Sequence, residues 1–380
     1  MAFSHPNLCD VIIRCTCSRK GDASLSKKIT MQQIADALGV SKFVVSKALS
    51  GKEGVSDVTR ARVMETATRL GYFNQKNGYL KTGLNPTTEI ASSNRRSVLV
   101  LMPNIRFQTK DSAYWGRILE GISEKLETGG MGMVIVTEQS VEHFIHLLNP
   151  EALAGMIGVG AVETPLLLEA HRMGLPIVLI DHEDELIPSD TIFADNYDSM
   201  YRLTRHLIGI GHRELVFVGD AEYSRSFYDR YLGFHRAMEE ADRGRPATGN
   251  RADRYCLPVQ GFEKEHFVET IQQSVREWAQ AGALPSVMVC ANDQIALGAL
   301  MALQHLDYAV PGDISITGFD HIEDTDRTNP PITTVNVPKK ALGRRAVEQL
   351  LRRVDEREEP KEKVLLACEL LHRESSVLGK

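Results

Sequence analysis

From residue 97 to the C-terminus, short apolar runs alternate with longer amphipathic segments, and that alternation restricts the fold more than any other feature of the chain. The runs at 97–102, 132–136, 154–158, 176–180, 214–218, 286–290 and 313–317 have strand length. The segments at 113–128, 164–173, 197–210, 226–240, 262–280, 292–305 and 338–354 have helical spacing. Strict strand–helix alternation builds parallel sheets covered by helices on both faces. A stretch of roughly 280 residues is large for one sheet and one core, so two α/β lobes are expected.

The first quarter of the chain is different. Residues 1–28 have no period and read as a disordered extension, and 29–73 form a compact helical block. Residues 74–96 are rich in Asn, Thr, Ser and Gly and read as a hinge or linker, which leaves 97–380 as the two-lobed body. Charge divides the same way. Residues 1–96 hold 15 Lys and Arg against 7 Asp and Glu, a net of +8, whereas the remainder carries 29 against 43, a net of −14. A basic first quarter on an acidic body points to an anionic partner for the N-terminal part alone.

Within that block Thr30 and Gln33 have capping-box spacing, so a helix starts at Met31 with Ile34, Ala35 and Leu38 inward. Gly39 closes it, and Ser41 caps a second helix with Val44, Val45, Ala48 and Leu49 inward. Gly51 stops that helix; Ser56 caps a third, with Val63, Ala67 and Leu70 at helical spacing. Two short helices joined by a glycine turn and braced by a third make a helix-turn-helix. The second helix carries Lys42, Phe43 and Lys47 at the end that meets base edges in such domains. Lysine donates to guanine O6 and N7, and phenylalanine packs on a thymine methyl. The hydroxyls of Thr30, Ser41, Ser46, Ser50 and Ser56 cluster around helix starts, where they cap the helices and can also hold phosphates. Small three-helix domains also bind proteins, so the pattern alone leaves both partners open.

These residues resemble the headpiece of the lactose-repressor/galactose-repressor (LacI/GalR) family. The likeness is carried by Ile29 to Ala35, Gly39-Val40-Ser41, Val45 to Ser50, Val55-Ser56 and Thr59-Arg60. It implies that Lys42, Phe43 and Lys47 read bases and that Thr30, Ser41, Ser46, Ser50 and Ser56 contact phosphates. Phe43 and Val44 depart from the polar residues common there, so no operator sequence carries over. Family members have a proline after the tyrosine that ends the third helix, then a hinge helix whose leucine wedges into the minor groove. Tyr72-Phe73-Asn74 lacks that proline, and Leu80 is the candidate wedge; a plain tether is the alternative.

In the body, polar residues follow expected strands: Asp181, then Asn292 and Asp293, then Asp320. Arg230 lies early in a helix after Ser224 and Ser226. Ligands settle at the carboxyl ends of parallel strands, and carboxylates, an amide and a guanidinium suit the hydroxyls of a polyol. Tyr114 and Trp115 can stack on an apolar sugar or base face. Helix capping by the acids and core packing by the aromatics explain the same residues. The resemblance extends through Arg230 to Phe234, Cys290 to Gly298, Ser315 to Asp320 and Pro331 to Val335. It implies a periplasmic-binding-protein-like effector domain whose cleft is lined by Tyr114, Trp115, Asp181, Ser226, Arg230, Asn292 and Asp320. A lysine at 339, where the family often carries an aromatic or polar contact, points toward a negatively charged or otherwise unusual ligand.

The chain therefore reads as a sequence-specific transcriptional regulator: a helix-turn-helix headpiece joined to a two-lobed α/β effector domain. The expected partners are a near-palindromic double-stranded DNA operator, a small polar effector such as a sugar, and a second copy of the chain. Repressor is the leading reading, with activation or action through a protein co-regulator the alternative. Induction and co-repression stay open. There is no Gly-rich phosphate loop, Gly-x-Ser-x-Gly, metal-spaced His pair or His-Glu-x-x-His, so neither enzyme nor cofactor is expected. Cys9, Cys15, Cys17, Cys256, Cys290 and Cys368 lack a fourth ligand at finger spacing and read as reduced thiols without metal. No apolar run approaches 18 residues and none has signal-peptide length at the start, so a cytoplasmic protein without membrane contact is expected.

Overall fold

The computed structural model describes residues 30–49, 56, 59, 62–63, 66, 97–103, 114–137, 140–141, 144, 149–243, 256–259 and 264–379. The chain divides into two units, Met1–Ala91 and Ser92–Lys380. The expected extension and linker, with Ser50 and Leu80, lie outside the described residues.

In the first unit, α1 (Met31–Leu38) and α2 (Lys42–Leu49) pack together through Ile34, Ala35 and Val45, all fully buried. Gly39 turns the chain between them at φ 67°, a left-handed conformation that costs glycine nothing and most other residues about 1 kcal/mol or more. Thr59, Arg62, Val63 and Thr66 are helical, with Val63 and Thr66 buried, where the third helix is expected.

The second unit holds two parallel sheets. Lobe one contains β1 (Ser97–Leu101), α3 (Trp115–Thr128), β2 (Gly132–Val136), β3 (Leu153–Val159), α4 (Thr164–Arg172), β4 (Ile177–Ile180) and β5 (Asp190–Ala194). Lobe two follows with α5 (Asn196–Gly209), β6 (Leu215–Val218), α6 (Arg225–Ala241), β7 (Cys256–Leu257), α7 (Lys264–Gln280), β8 (Val287–Cys290), α8 (Asp293–His305) and β9 (Ser315–Thr317). The chain then returns through β10 (Thr334–Asn336) to α9 (Lys339–Asp355) and β11 (Lys363–Leu366) in lobe one, and comes back through β12 (Glu369–Leu371). The sheets are ordered β11-β5-β4-β3-β1-β2 and β7-β6-β8-β9, and β10 pairs antiparallel with β12 where the chain crosses between lobes.

All seven expected strands and all seven expected helices form, with ends within two residues. Period two sorts the strands of lobe one. Val98 and Val100 join the core under α3 and α9, while Leu99 and Leu101 join a second cluster under α4. Helices α3 and α9 cross at van der Waals limits: a Cβ on Gly121 would sit 2.1 Å from the Lys340 carbonyl oxygen, and one on Gly343 2.2 Å from that of Ile118. Five strands were not expected: β5, β7, β10, β11 and β12. Most are two to four residues long, and β5 opens on Asp190, whose carboxylate is fully buried against Arg353.

Candidate functional site

The headpiece presents one polar face. Thr30 Oγ1 accepts the Gln33 N–H at 3.4 Å while Gln33 Oε1 accepts the Thr30 N–H at 2.8 Å, completing the expected box. Ser41 Oγ accepts the Val44 N–H and Ser56 Oγ accepts the Thr59 N–H, each at 3.3 Å. With Val45 turned inward, Lys42, Phe43 and Ser46 face outward, Phe43 at 68% exposure. Lys47 Nζ lies 5.2 Å from the centroid of the Phe43 ring.

In the second unit the strand ends converge on a buried arginine. Arg230 projects from the second turn of α6 and is 3% exposed. Its Nε donates to Asn196 Oδ1 (2.8 Å), Nη1 to the Ala291 carbonyl (2.7 Å) and Nη2 to Asp320 Oδ1 (3.1 Å). The Phe319 ring lies against the guanidinium, 3.9 Å from centroid to Cζ. Asn196 Nδ2 donates to Ser226 Oγ, which in turn donates to Asp181 Oδ1. Asp181 stands just past β4 and Ser226 in the first turn of α6, so this chain of hydrogen bonds runs from one lobe to the other. Arg225 of lobe two and Glu183 of lobe one meet at 2.7 Å nearby, as do Arg117 of α3 and Glu323 beyond β9.

The acids here are kept hungry for hydrogen. Burial pushes Asp181 up to about 6, against the opposing effects of the Ser226 hydrogen bond and the Arg230 charge. Asp320 is raised by burial, with Arg230 and Lys339 only partly offsetting it. Tyr114 is raised well above the usual phenol value by burial and then by the charges of Asp181 and Asp320, which places its ring among these acids. Each carboxylate has one oxygen engaged by the protein in the contacts above. Two carboxylates, one from each lobe, thus lie near one buried guanidinium.

Three comparisons with known proteins bear on what these units are. The sequence model described as "Bacterial regulatory proteins, lacI family" matches residues 30–75, and that of the "Periplasmic binding protein-like domain" matches 204–376. Residues 30–75 thus carry a lacI-family DNA-binding segment, and the chain resembles regulators of that family. It is therefore a DNA-binding transcriptional regulator controlled by a small-molecule effector. The HTH-type transcriptional repressor PurR of Pasteurella multocida is 25% identical over 352 residues, covering 91% of this chain and 98% of that protein. In fold, the transcriptional regulator CelR in complex with cellobiose is similar with a TM-score of 0.63, at 21% identity over 92% of this chain and all of that one. The lac repressor dimer bound to operator and an anti-inducer gives 0.60 at 22% identity, over 92% of this chain and 99% of that one.

The second unit brings together Tyr114, Asp181, Ser226, Arg230 and Asp320 of the residues singled out by sequence. Trp115 opens α3 and meets Tyr114 edge-on at 4.9 Å, half-buried against the core. Asn292 caps α8, its Oδ1 accepting the Ile295 N–H at 2.9 Å, one residue past the carbonyl that holds Arg230. Asp293 is fully enclosed: Oδ1 accepts from Thr334 Oγ1 (2.6 Å) and Oδ2 from the Ile322 N–H (2.8 Å), tying α8 to the crossover. A Cβ on Gly318 would sit 2.1 Å from Oδ1, so only glycine leaves room there.

One contributor escaped sequence reasoning. Asn196 links Arg230 to Ser226, and its signal was hidden because β5 went unrecognised; an amide just past a strand end would have marked it. Lys339, singled out by sequence, lies beside the same groups, its Nζ 6.0 Å from the centroid of the Tyr114 ring. Its ammonium donates to the carbonyls of Asp320 (2.5 Å), His321 (3.0 Å) and Val337 (3.3 Å), which braces the crossover, and its side chain lines a cavity with Arg117, His321 and Glu323. Asp320 and His321 both have positive φ, 107° and 53°, and these contacts fix that unusual bend.

Proposed function

We propose that the effector is a small uncharged polyhydroxyl molecule, a sugar, held between the lobes by Asp181, Arg230 and Asp320, with Ser226 and Asn292 beside them and Tyr114 and Trp115 against its apolar face. The observation that carries this is the pairing of two raised, half-engaged carboxylates with one guanidinium. Hydroxyls donate to the acids and accept from the arginine, whereas a phosphate or carboxylate would face two like charges. A related regulator has been solved with cellobiose and another, from Enterococcus faecium, with ribose.

On the DNA side, Lys42, Phe43 and Lys47 read base edges while Thr30, Ser41, Ser46, Ser50 and Ser56 meet phosphates, and Leu80 serves as the minor-groove wedge. Two copies of the chain grip a near-palindromic operator in the cytoplasm, one headpiece per half-site, and the protein acts as a repressor without catalysing a reaction. The unit boundaries expected from sequence, 29–73, 74–96 and 97–380, serve this plan. A ligand acts only through its different affinity for two states, and a tenfold change in operator affinity needs about 1.4 kcal/mol of coupling. The test is operator binding followed by fluorescence anisotropy. Arg230→Ala is expected to bind operator within about twofold of wild type yet show no response to a sugar that shifts the wild type; a full response in the variant refutes the cleft assignment.

A further inference from the structure

Among the described residues of the headpiece, Phe43 is the large apolar side chain that stays open, 68% exposed on the outer face of α2. A phenyl ring neither donates nor accepts hydrogen bonds. In the major groove, guanine, adenine and cytosine offer only donors and acceptors, and the one apolar feature is the C5-methyl of thymine. Pressing a ring on a polar base edge strips water without replacing it, which is unfavourable, whereas pressing it on a methyl removes apolar surface from water. Phe43 is thus complementary to a methylated pyrimidine and works against every other base edge.

Lys47 lies one helical turn further on, its Nζ 5.2 Å from the Phe43 ring centroid. The electron-rich ring face attracts the ammonium and narrows where its donors sit. Stacked bases are about 3.4 Å apart along a strand, so a 5.2 Å separation keeps ring and ammonium on the same or adjacent base pairs. Guanine, with O6 and N7 both accepting, is the edge that suits a lysine there. We infer that Phe43 and Lys47 act as one composite reader of a C5-methyl pyrimidine beside a guanine in each half-site. A ring sees the methyl and not the rest of the base. The same reader accepts 5-methylcytosine where it accepts thymine, so cytosine methylation at that position strengthens binding. This rests on α2 being the base-reading helix.

The experiment uses the full chain. A randomised duplex library is selected for binding, and each pyrimidine of the resulting consensus half-site is then replaced in turn. The series is thymine, uracil, cytosine and 5-methylcytosine, with affinity read by anisotropy at fixed salt. At one position per half-site, thymine to uracil is expected to weaken binding about fourfold, the value of one buried methyl. 5-Methylcytosine is expected to recover about the same factor over cytosine. Phe43→Ala should erase both differences, with an unchanged melting curve showing that the headpiece still folds; Phe43→Leu should keep part of them. Lys47→Met should lower the preference for guanine at the neighbouring pair. A consensus with no methyl-sensitive position, or with one that survives Phe43→Ala, overturns the composite reader. Failure of the wild type to select any consensus instead overturns the base-reading role of α2.

Discussion

Arg353–Asp190 inside lobe one and Arg230–Asp320 between the lobes are both buried arginine–carboxylate pairs, with Arg353 4% and Arg230 3% exposed. Their surroundings differ. Arg353 reaches Asp190 twice, through Nε (2.7 Å) and Nη2 (2.9 Å), and directs its other donors to the carbonyls of Glu356, Glu359 and Pro360. Asp190 also accepts from Gln349 and from the Glu362 N–H. Burial would raise Asp190, yet these hydrogen bonds hold it below the usual carboxylate value. Asp320 receives one guanidinium contact, and burial wins, so it is raised. The first pair is saturated and holds structure. The second is left with fewer donors between the lobes, which suits the binding role proposed for it.

Single substitutions sharpen that contrast. Arg353→Ala leaves Asp190 buried and alone, and is expected to cost about 3–5 kcal/mol in chemical denaturation. A loss below about 1 kcal/mol would remove the basis for calling that pair structural. Arg230→Ala is expected to cost less, about 1–3 kcal/mol, because Asp320 can take up a proton and cleft water can reach it. If the two variants prove equally damaging, the distinction fails.

Asp293 offers a third test, by pH. Burial, with Asp320 nearby, pushes it up to about 8 from an ordinary 3.8. The folded state then holds a proton that the unfolded chain has lost, so stability falls as pH rises between those values, by up to about 1.4 kcal/mol per unit. Asp293→Asn can still donate to Thr334 and accept from the Ile322 N–H, and should flatten the slope of melting temperature between pH 5 and 8. An unchanged slope would assign the pH dependence to another group. The smallest effect belongs to the headpiece: Phe43→Ala should change stability by no more than about 0.5 kcal/mol, since the ring is already open to water.

How far sequence reached follows from where each signal lies. Helices α1 to α9 were legible because each has apolar residues at helical spacing or a cap such as Thr30 with Gln33. The long central strands were legible because their residues are apolar throughout, as in Ile177–Ile180. Strands β10 and β12, three residues each, carry too little pattern, and β5 hides behind a buried charge. Between the lobes, Asp181, Arg230 and Asp320 follow strands or open a helix, a position visible in one dimension. Which of Asn292 and Asp293 caps α8 is decided by the turn after β8 and by Thr334, 41 residues away, and no local pattern records that. The tie from Lys339 to the crossover is hidden for the same reason: its acceptors are backbone carbonyls, whose direction the sequence does not show.

The central claim is that the cleft takes an uncharged, donor-rich ligand. It is tested most directly by thermal shift of the full chain against mono- and disaccharides, their phosphates and nucleosides, with Arg230→Ala alongside. A ligand at 100 times its dissociation constant adds about 2.7 kcal/mol to the folded state, enough to see. The account predicts that a neutral saccharide raises the melting temperature of the wild type, that its phosphate does not, and that Arg230→Ala responds to neither. Stabilisation by the sugar phosphate, or equal stabilisation of wild type and variant, would contradict it.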